Sequence, residues 1–203
     1  MASPIKLAKK AIRNEIKRRI ALLSEEEKKQ QSEIVCDKFL RTKEYTTSQR
    51  ISVYLSMKNE IDTKEILQNM LESGKTCFIP RYSTKSSYMD MVRLKSMEEF
   101  DALPVTKWNI KQPLEDELSC ETAFETGGLD LIIMPGVAFN VAGYRVGRGK
   151  GYYDSYIQKC SMAATGRPQL VALAFGEQIV DDVPVEDHDE AVDMVLYAEA
   201  KPE

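Results

Sequence analysis

Between Gly143 and Asp154 the chain reads Gly-Tyr-Arg-Val-Gly-Arg-Gly-Lys-Gly-Tyr-Tyr-Asp. Gly143, Gly147, Gly149 and Gly151 make the stretch locally glycine-dense, and Arg145, Arg148 and Lys150 alternate with them. Glycines let backbone N–H groups approach a ligand closely. Basic side chains between them neutralise phosphate charge. A carboxylate at the end could hold a hard cation such as Mg²⁺. The local chemistry is that of a site for an anionic, polyphosphate-like ligand. The alternative reading is a flexible surface turn with solvated basic residues.

The stretch matches no standard nucleotide loop. Gly149-Lys150 is followed by Gly151 instead of Ser or Thr, and Tyr144 stands where a Walker A loop has its first glycine. The even spacing of Gly147, Gly149 and Gly151 also departs from Gly-x-Gly-x-x-Gly. Asp154 is either a cation ligand or a helix residue in a salt bridge. The cluster Glu186-Asp187-His188-Asp189-Glu190 could supply a second carboxylate, since Mg²⁺ needs only one or two from the protein, and the residue types do not choose among them. Lys9, Lys10 and Arg13 form a basic face that is either solvated or a lid over phosphate. Trp108 is either core or a surface for stacking a flat ligand.

The rest of the composition narrows the chemistry. The 203 residues suit one domain with a sizeable core, and the net charge of -4 argues against a dedicated nucleic-acid binder. His188 is the only histidine, so a multi-histidine metal site is excluded and a histidine relay has one candidate. Four cysteines, Cys36, Cys77, Cys120 and Cys160, lie far apart, as free thiols in a reducing compartment do. No apolar run reaches membrane-spanning length. The basic N-terminus fits either a transit segment or part of the fold, and we read it as fold. The expectation is a cytoplasmic protein that engages neither membrane nor nucleic acid.

The elements that must position these residues follow from periodicity. Residues 4–23 form a helix with Ile12, Ile16, Ile20 and Leu23 on its core face. Ser24 to Glu27 resembles a capping box that starts a helix to about Leu40. Ile51 to Ser56 is a strand, followed by a helix from Thr63 to Leu71 with Asp62 as cap and Gly74 past its end. Thr76 to Ile79 is a second strand, stopped by Pro80, and Met89 to Leu94 a third. Residues 96–126 are mostly loop with one short helix. Leu129 to Met134 is a buried strand closed by Pro135-Gly136. Gly151 to Lys159 is a helix with Tyr152, Tyr156 and Ile157 near one face, and Leu170–Phe175 and Val192–Tyr197 are further strands. This alternation predicts an α/β fold, a mostly parallel central sheet flanked by helices and Rossmann-like in its openness. The glycine-dense stretch then lies beyond a strand's carboxyl end and leads into a helix N-terminus, where phosphate binds favourably.

Taken together, these segments resemble the 5-formyltetrahydrofolate cyclo-ligase (methenyltetrahydrofolate synthetase) family in its animal form. Besides Gly143–Asp154, the resemblance rests on Leu55–Glu60, Phe78–Tyr82, Met89–Arg93, Trp108–Ile110 and Gly127–Gly136, in that order. It implies a monomeric enzyme that uses ATP and Mg²⁺ to convert 5-formyltetrahydrofolate to 5,10-methenyltetrahydrofolate, releasing ADP and phosphate. It implies ATP contacts at Lys9, Lys10, Arg13 and the run Arg145, Gly147, Arg148, Gly149, Lys150, Gly151, Tyr152 and Tyr153. Folate contacts are implied at Leu55, Glu60, Trp108 and Arg148 to Tyr152, catalytic roles at Arg145 and Lys150, and Mg²⁺ ligation at Asp154 and Asp189. Bacterial relatives often carry an aromatic residue at the position of Arg148 and glycine at that of Lys150, so these two side chains tune binding more than they carry chemistry. Two rival readings are another ATP- or sugar-phosphate-using α/β enzyme and an RNA-binding module built on the Arg/Lys/Gly/Tyr stretch.

Overall fold

Apolar strands and amphipathic helices close, in a computed structural model of the chain, around a six-stranded sheet. The structure describes residues 3–83, 85–86, 88–106, 111–114, 120–187 and 189–199; Trp108 and His188 lie outside the described residues. In chain order the strands are β1 (Arg50–Ser52), β2 (Thr76–Tyr82), β3 (Met89–Leu94), β4 (Leu131–Met134), β5 (Ala138–Phe139), β6 (Arg145–Val146), β7 (Gln169–Ala174) and β8 (Met194–Tyr197). The main sheet has the order β3-β2-β1-β4-β7-β8, and β5 and β6 form a separate hairpin. All neighbours in the main sheet are parallel except β2 and β3 at one edge. The helices are α1 (Pro4–Leu22), α2 (Glu25–Leu40), α3 (Lys43–Thr47), α4 (Lys64–Glu72), α5 (Met97–Ala102) and α6 (Tyr152–Met162), with a 3₁₀ turn at Gly176–Gln178.

Side-chain alternation assigns each face of the sheet to its own core. Leu131 and Ile133 of β4 pack with Val171 and Leu173 of β7 against Ile16, Val35, Phe39 and Ile66 of the N-terminal helices. Ile132 and Met134 pack with Leu170, Ala172 and Ala174 against Tyr153, Tyr156, Ile157 and Cys160 of α6. Both faces are covered, which is why these strands read as continuous apolar runs. The Ser24 capping box is present: Ser24 Oγ accepts from Glu27 N at 3.1 Å, and Glu27 Oε2 accepts from Ser24 N at 2.9 Å.

Several boundaries differ from expectation, and the reasons are physical. β2 runs through Pro80 to Tyr82, and β1 ends at Ser52, well before Ser56. Val53 N donates to Phe78 O at 2.9 Å, and the next rung of that parallel ladder would need an N–H from Pro80. Pro80 therefore stops the β1–β2 ladder and leaves β2 itself free to continue along β3. Released from the sheet, Tyr54 to Met57 cross its carboxyl edge. α4 is capped at Thr63, and Asp62 Oδ1 still accepts from Lys64 N at 3.0 Å. β4 begins at Leu131 and β8 at Met194, each two residues later than expected. On α6 the buried face is Tyr153, Tyr156, Ile157 and Cys160, with Tyr152 turned partly outward. The short α3, the 3₁₀ turn and the β5–β6 hairpin carry too little periodicity to be read in advance.

The strand order reverses at β1. From β1 the chain moves to β2 and β3 on one side, and later to β4, β7 and β8 on the other. Such a switch point leaves a crevice beyond the carboxyl ends of the two central strands. The β5–β6 hairpin walls this crevice and is tied to the C-terminal loop at Gly143, whose O accepts from Val192 N at 2.9 Å. Gly143 has φ +91°, and a Cβ there would lie 2.2 Å from Val192 O. Gly143→Ala should therefore cost about 2 kcal/mol or more. Urea denaturation checks this, and unchanged stability would mean that the hairpin does not depend on that close approach.

Candidate active site

The crevice opens into a cavity of about 990 Å³. Its wall is built from six segments: α1, the residues after β1, the end of β2, the Pro135-Gly136 turn after β4, the glycine-dense stretch with the start of α6, and the loop carrying Glu186 and Asp189. Gln178, itself buried, fixes the turn by donating through Nε2 to Gly136 O at 2.9 Å and Val137 O at 3.0 Å. Each predicted site residue within the described regions lines this cavity: Lys9, Lys10, Arg13, Leu55, Glu60, Arg145, Gly147 to Tyr153, Asp154 and Asp189. Trp108, expected as part of the folate wall, lies outside the described residues.

Two buried cations sit against the two candidate metal carboxylates. Arg145 lies on β6 and is only 7% exposed, unlike the mobile loop residue that its glycine-rich surroundings suggest. Its Nη2 donates to Asp154 Oδ1 at 2.7 Å, and the same oxygen accepts from Glu190 N at 3.3 Å. Lys9, also 7% exposed, reaches from α1 to the other end of the chain. Its Nζ donates to Asp189 Oδ2 at 2.5 Å and to Glu186 Oε2 at 3.1 Å. Asp189 Oδ2 further accepts from Glu186 N at 2.7 Å. Removing such charges from water costs several kcal/mol per ion, so each cation depends on its acid. Arg145 Nε is buried with no hydrogen-bond partner among the described residues, a donor that a ligand oxygen would satisfy.

The remaining basic residues gather round the same space. Arg13 Nε donates to Gly147 O at 2.7 Å and so joins α1 to the glycine-dense stretch. Gly149 and Gly151 have φ of +95° and +69°, which lets the backbone turn sharply just before α6. Lys10 and Lys150 are exposed at the rim. Arg148 donates to Glu60 Oε1 through Nε at 3.2 Å and Nη2 at 2.8 Å, while Glu60 Oε2 accepts from Met57 N at 2.9 Å. This pair links the glycine-dense stretch to the segment after β1.

The cavity also has an apolar and aromatic lining, and it contains residues that the sequence did not single out. Tyr54, Met57 and Tyr82 line the cavity beside Leu55 and Tyr152. The Tyr82 and Tyr152 rings pack with centroids 5.0 Å apart, and Tyr152 Oη donates to Ser83 O at 2.9 Å. Burial pushes the Tyr54, Tyr82 and Tyr153 phenols well above their usual range, so they stay neutral hydrogen-bonding groups at physiological pH. Alternation along β2 could have pointed to Tyr82, which ends the strand at the carboxyl edge of the sheet. Glu186 was one of several acids in a cluster that residue type could not sort. Among the cysteines, burial raises Cys36 to about 12, Cys160 to about 11 and Cys77 further still, which removes these thiols as nucleophiles.

The donor set suits a divalent cation. Asp154 and Asp189 offer hard carboxylate oxygens to one cavity, with cationic side chains beside them for a polyanion. Among the described residues no group of three or more His, Cys, Asp and Glu side chains forms an all-protein cage. Two protein carboxylates are a usual number for Mg²⁺ when phosphate and water complete its shell.

Fold and cavity together define an open α/β protein with a candidate ligand site at the switch point of the sheet, where cationic and aromatic side chains line one cavity. Comparison with known proteins then makes the class specific. The chain belongs to the 5-formyltetrahydrofolate cyclo-ligase family, which it matches over residues 5–198. It is 47% identical to the 5-formyltetrahydrofolate cyclo-ligase of Mus musculus over 199 residues, covering 98% of each chain. It is 41% identical to a probable 5-formyltetrahydrofolate cyclo-ligase of Caenorhabditis elegans, covering 96% of this chain and 95% of the other. Among solved structures it resembles the 5,10-methenyltetrahydrofolate synthetase of Aquifex aeolicus, with a TM-score of 0.73 and 27% identity over 93% of this chain and 88% of that one. The Mycoplasma pneumoniae synthetase shares the fold at a TM-score of 0.68 and 22% identity, over 93% and 98% of the two chains.

Lys9→Met should destabilise the protein by about 2–4 kcal/mol, because it removes the buried cation from which both part-buried acids accept. Adding Asp189→Asn should recover about 1 kcal/mol or more of that loss. Additive losses in chemical denaturation would show that the two side chains do not depend on each other.

Proposed function

We propose that this protein converts 5-formyltetrahydrofolate to 5,10-methenyltetrahydrofolate with Mg·ATP, releasing ADP and phosphate, as a monomeric, cytosolic, single-domain enzyme. The observation that carries the reading is the convergence, in one cavity, of cationic side chains from α1 and the glycine-dense stretch with aromatic ones from the segment after β1, the end of β2 and the start of α6. A triphosphate suits the first, and a flat reduced pterin suits the second. At about 990 Å³ the cavity is at the upper end of usual ligand sites, consistent with two substrates held together.

In this reading the formyl oxygen attacks the γ-phosphorus, and the bond from that phosphorus to the bridging oxygen of ADP breaks. N10 then attacks the activated formyl carbon, its proton is lost, and the carbon–oxygen bond breaks to release phosphate. Ring closure is intramolecular, so holding the folate bent brings a large proximity gain. Arg145, whose buried Nε–H has no partner among the described residues, would meet the charge on the transferring phosphoryl group, and Lys150 would approach from the rim. Lys9, Lys10, Arg13 and Arg148 hold the remaining phosphate charge, and Gly147 to Tyr153 wrap it. Glu60, Leu55 and Tyr152 receive the pterin, with Trp108 as a further candidate. Asp154 and Asp189 would hold Mg²⁺, which supplies neutralisation of charge on the phosphates.

The test mixes purified protein with 5-formyltetrahydrofolate, ATP and Mg²⁺ and follows the near-ultraviolet absorbance of the methenyl product. Product formation that requires all three is expected. No product, while a known cyclo-ligase works beside it, would overturn the reading. Arg145→Ala should lower kcat by about a hundredfold with little change in folate affinity. Wild-type turnover in that variant would remove Arg145 from the chemistry.

A further inference from the structure

The loop that carries Glu186 and Asp189 is fixed at its far end by a residue outside the cavity. Arg167 precedes β7, and its side chain is 34% exposed. Its Nη1 donates to both carboxylate oxygens of Asp193 at 3.0 Å each, and its Nη2 donates to Ala191 O at 2.9 Å. Asp193 is anchored in turn on β7, where its Oδ2 accepts from Leu170 N at 2.7 Å and its own N donates to Leu170 O at 2.8 Å. Arg167 thereby grips a carboxylate and a backbone carbonyl two residues apart, a geometry that its planar fork can serve and a lysine cannot.

What this grip controls lies just upstream. Glu190 N, one residue before Ala191, donates to the Asp154 oxygen that Arg145 also holds, and Asp189 directly precedes Glu190. Val192 N, on the other side, donates to Gly143 O of the β5–β6 hairpin. The loop is dense in acids, with Glu186, Asp187, Asp189, Glu190 and Asp193 in eight positions. Mutual repulsion would spread such a loop unless cations pin it. Lys9 pins it inside the cavity, and Arg167 pins it from outside.

We propose that Arg167 is a positioning residue for the metal–nucleotide half of the site. By fixing Ala191 and Asp193 it sets the placement of Asp189 relative to Asp154. The inference rests on the reading that those two acids take a divalent cation together with ATP. Residues outside the ligand set that orient metal ligands typically matter by one or two orders of magnitude in affinity, and a partly exposed contact belongs at the low end.

The experiment measures Mn²⁺ binding to the full-length protein by electron paramagnetic resonance in the presence of a non-hydrolysable ATP analogue. In parallel, 5-formyltetrahydrofolate binding is followed by fluorescence. In Arg167→Ala, Mn²⁺ and analogue should bind about five- to tenfold more weakly, with folate affinity within about twofold of wild type. A purely structural role would weaken all ligands together, and that result overturns the proposal, as does unchanged Mn²⁺ affinity. Should Arg167→Ala fail to fold, Arg167→Lys is measured instead; a loss of about two- to threefold confined to Mn²⁺ and analogue is expected, and wild-type affinity overturns the assignment. If wild-type protein binds folate yet takes up no Mn²⁺ with the analogue, the metal reading itself falls and Arg167 falls with it.

Discussion

Everything at this site depends on how two positive charges are kept out of water. Lys9 and Arg145 are both almost fully buried, and neither position is sustainable without the carboxylates beside it. Those contacts impose an architecture. Lys9 joins the first helix to Asp189, 180 residues away, so the two ends of the chain must meet across the crevice. Arg145 joins the β5–β6 hairpin to the first turn of α6. A nucleotide and its cation would then meet charges already oriented in a crevice partly shielded from solvent, where they act more strongly than in bulk water.

The sheet makes room for this arrangement by stopping early. One missing N–H, at Pro80, ends the parallel ladder between β1 and β2 after Val53. The chain from Tyr54 to Glu60 then lies over the carboxyl edge of the sheet, bringing Leu55 and Met57 into the cavity and Glu60 to Arg148. On the other central strand, Gln178 fastens the Pro135-Gly136 turn through two backbone carbonyls. The crevice thus has a firm floor, while the basic residues Lys10, Arg148 and Lys150 stand exposed at its rim.

Much of this was legible in the sequence where a physical rule is strong. Residues buried on both faces of a parallel sheet must be continuously apolar, so β4 and β7 announced themselves. Ser24 and Glu27 marked the start of α2 to the residue, because a capping box is a specific chemical reciprocity. The glycine-dense stretch pointed to the cavity because glycines let backbone N–H groups approach a ligand while the cations between them meet its charge. Less legible were features set by tertiary contact. The burial of Arg145 comes from a two-residue strand with no pattern of its own. Tyr54 lay within an expected strand that Pro80 cuts short. Choosing Asp189 from the acidic cluster required the resemblance to a family, since four acids within five positions look alike in sequence, and in the structure Lys9 contacts both Glu186 and Asp189. Arg167 had no local signal at all, because its partners are 24 and 26 residues away.

The most direct test is a crystal structure with Mn²⁺ and a non-hydrolysable ATP analogue, with the metal located by its anomalous scattering. A peak is expected about 2 Å from carboxylate oxygens of both Asp154 and Asp189, with Lys9 and Arg145 turned from those acids onto phosphate oxygens. A metal that touches neither carboxylate, with Lys9 and Arg145 still paired to them, would contradict that expectation.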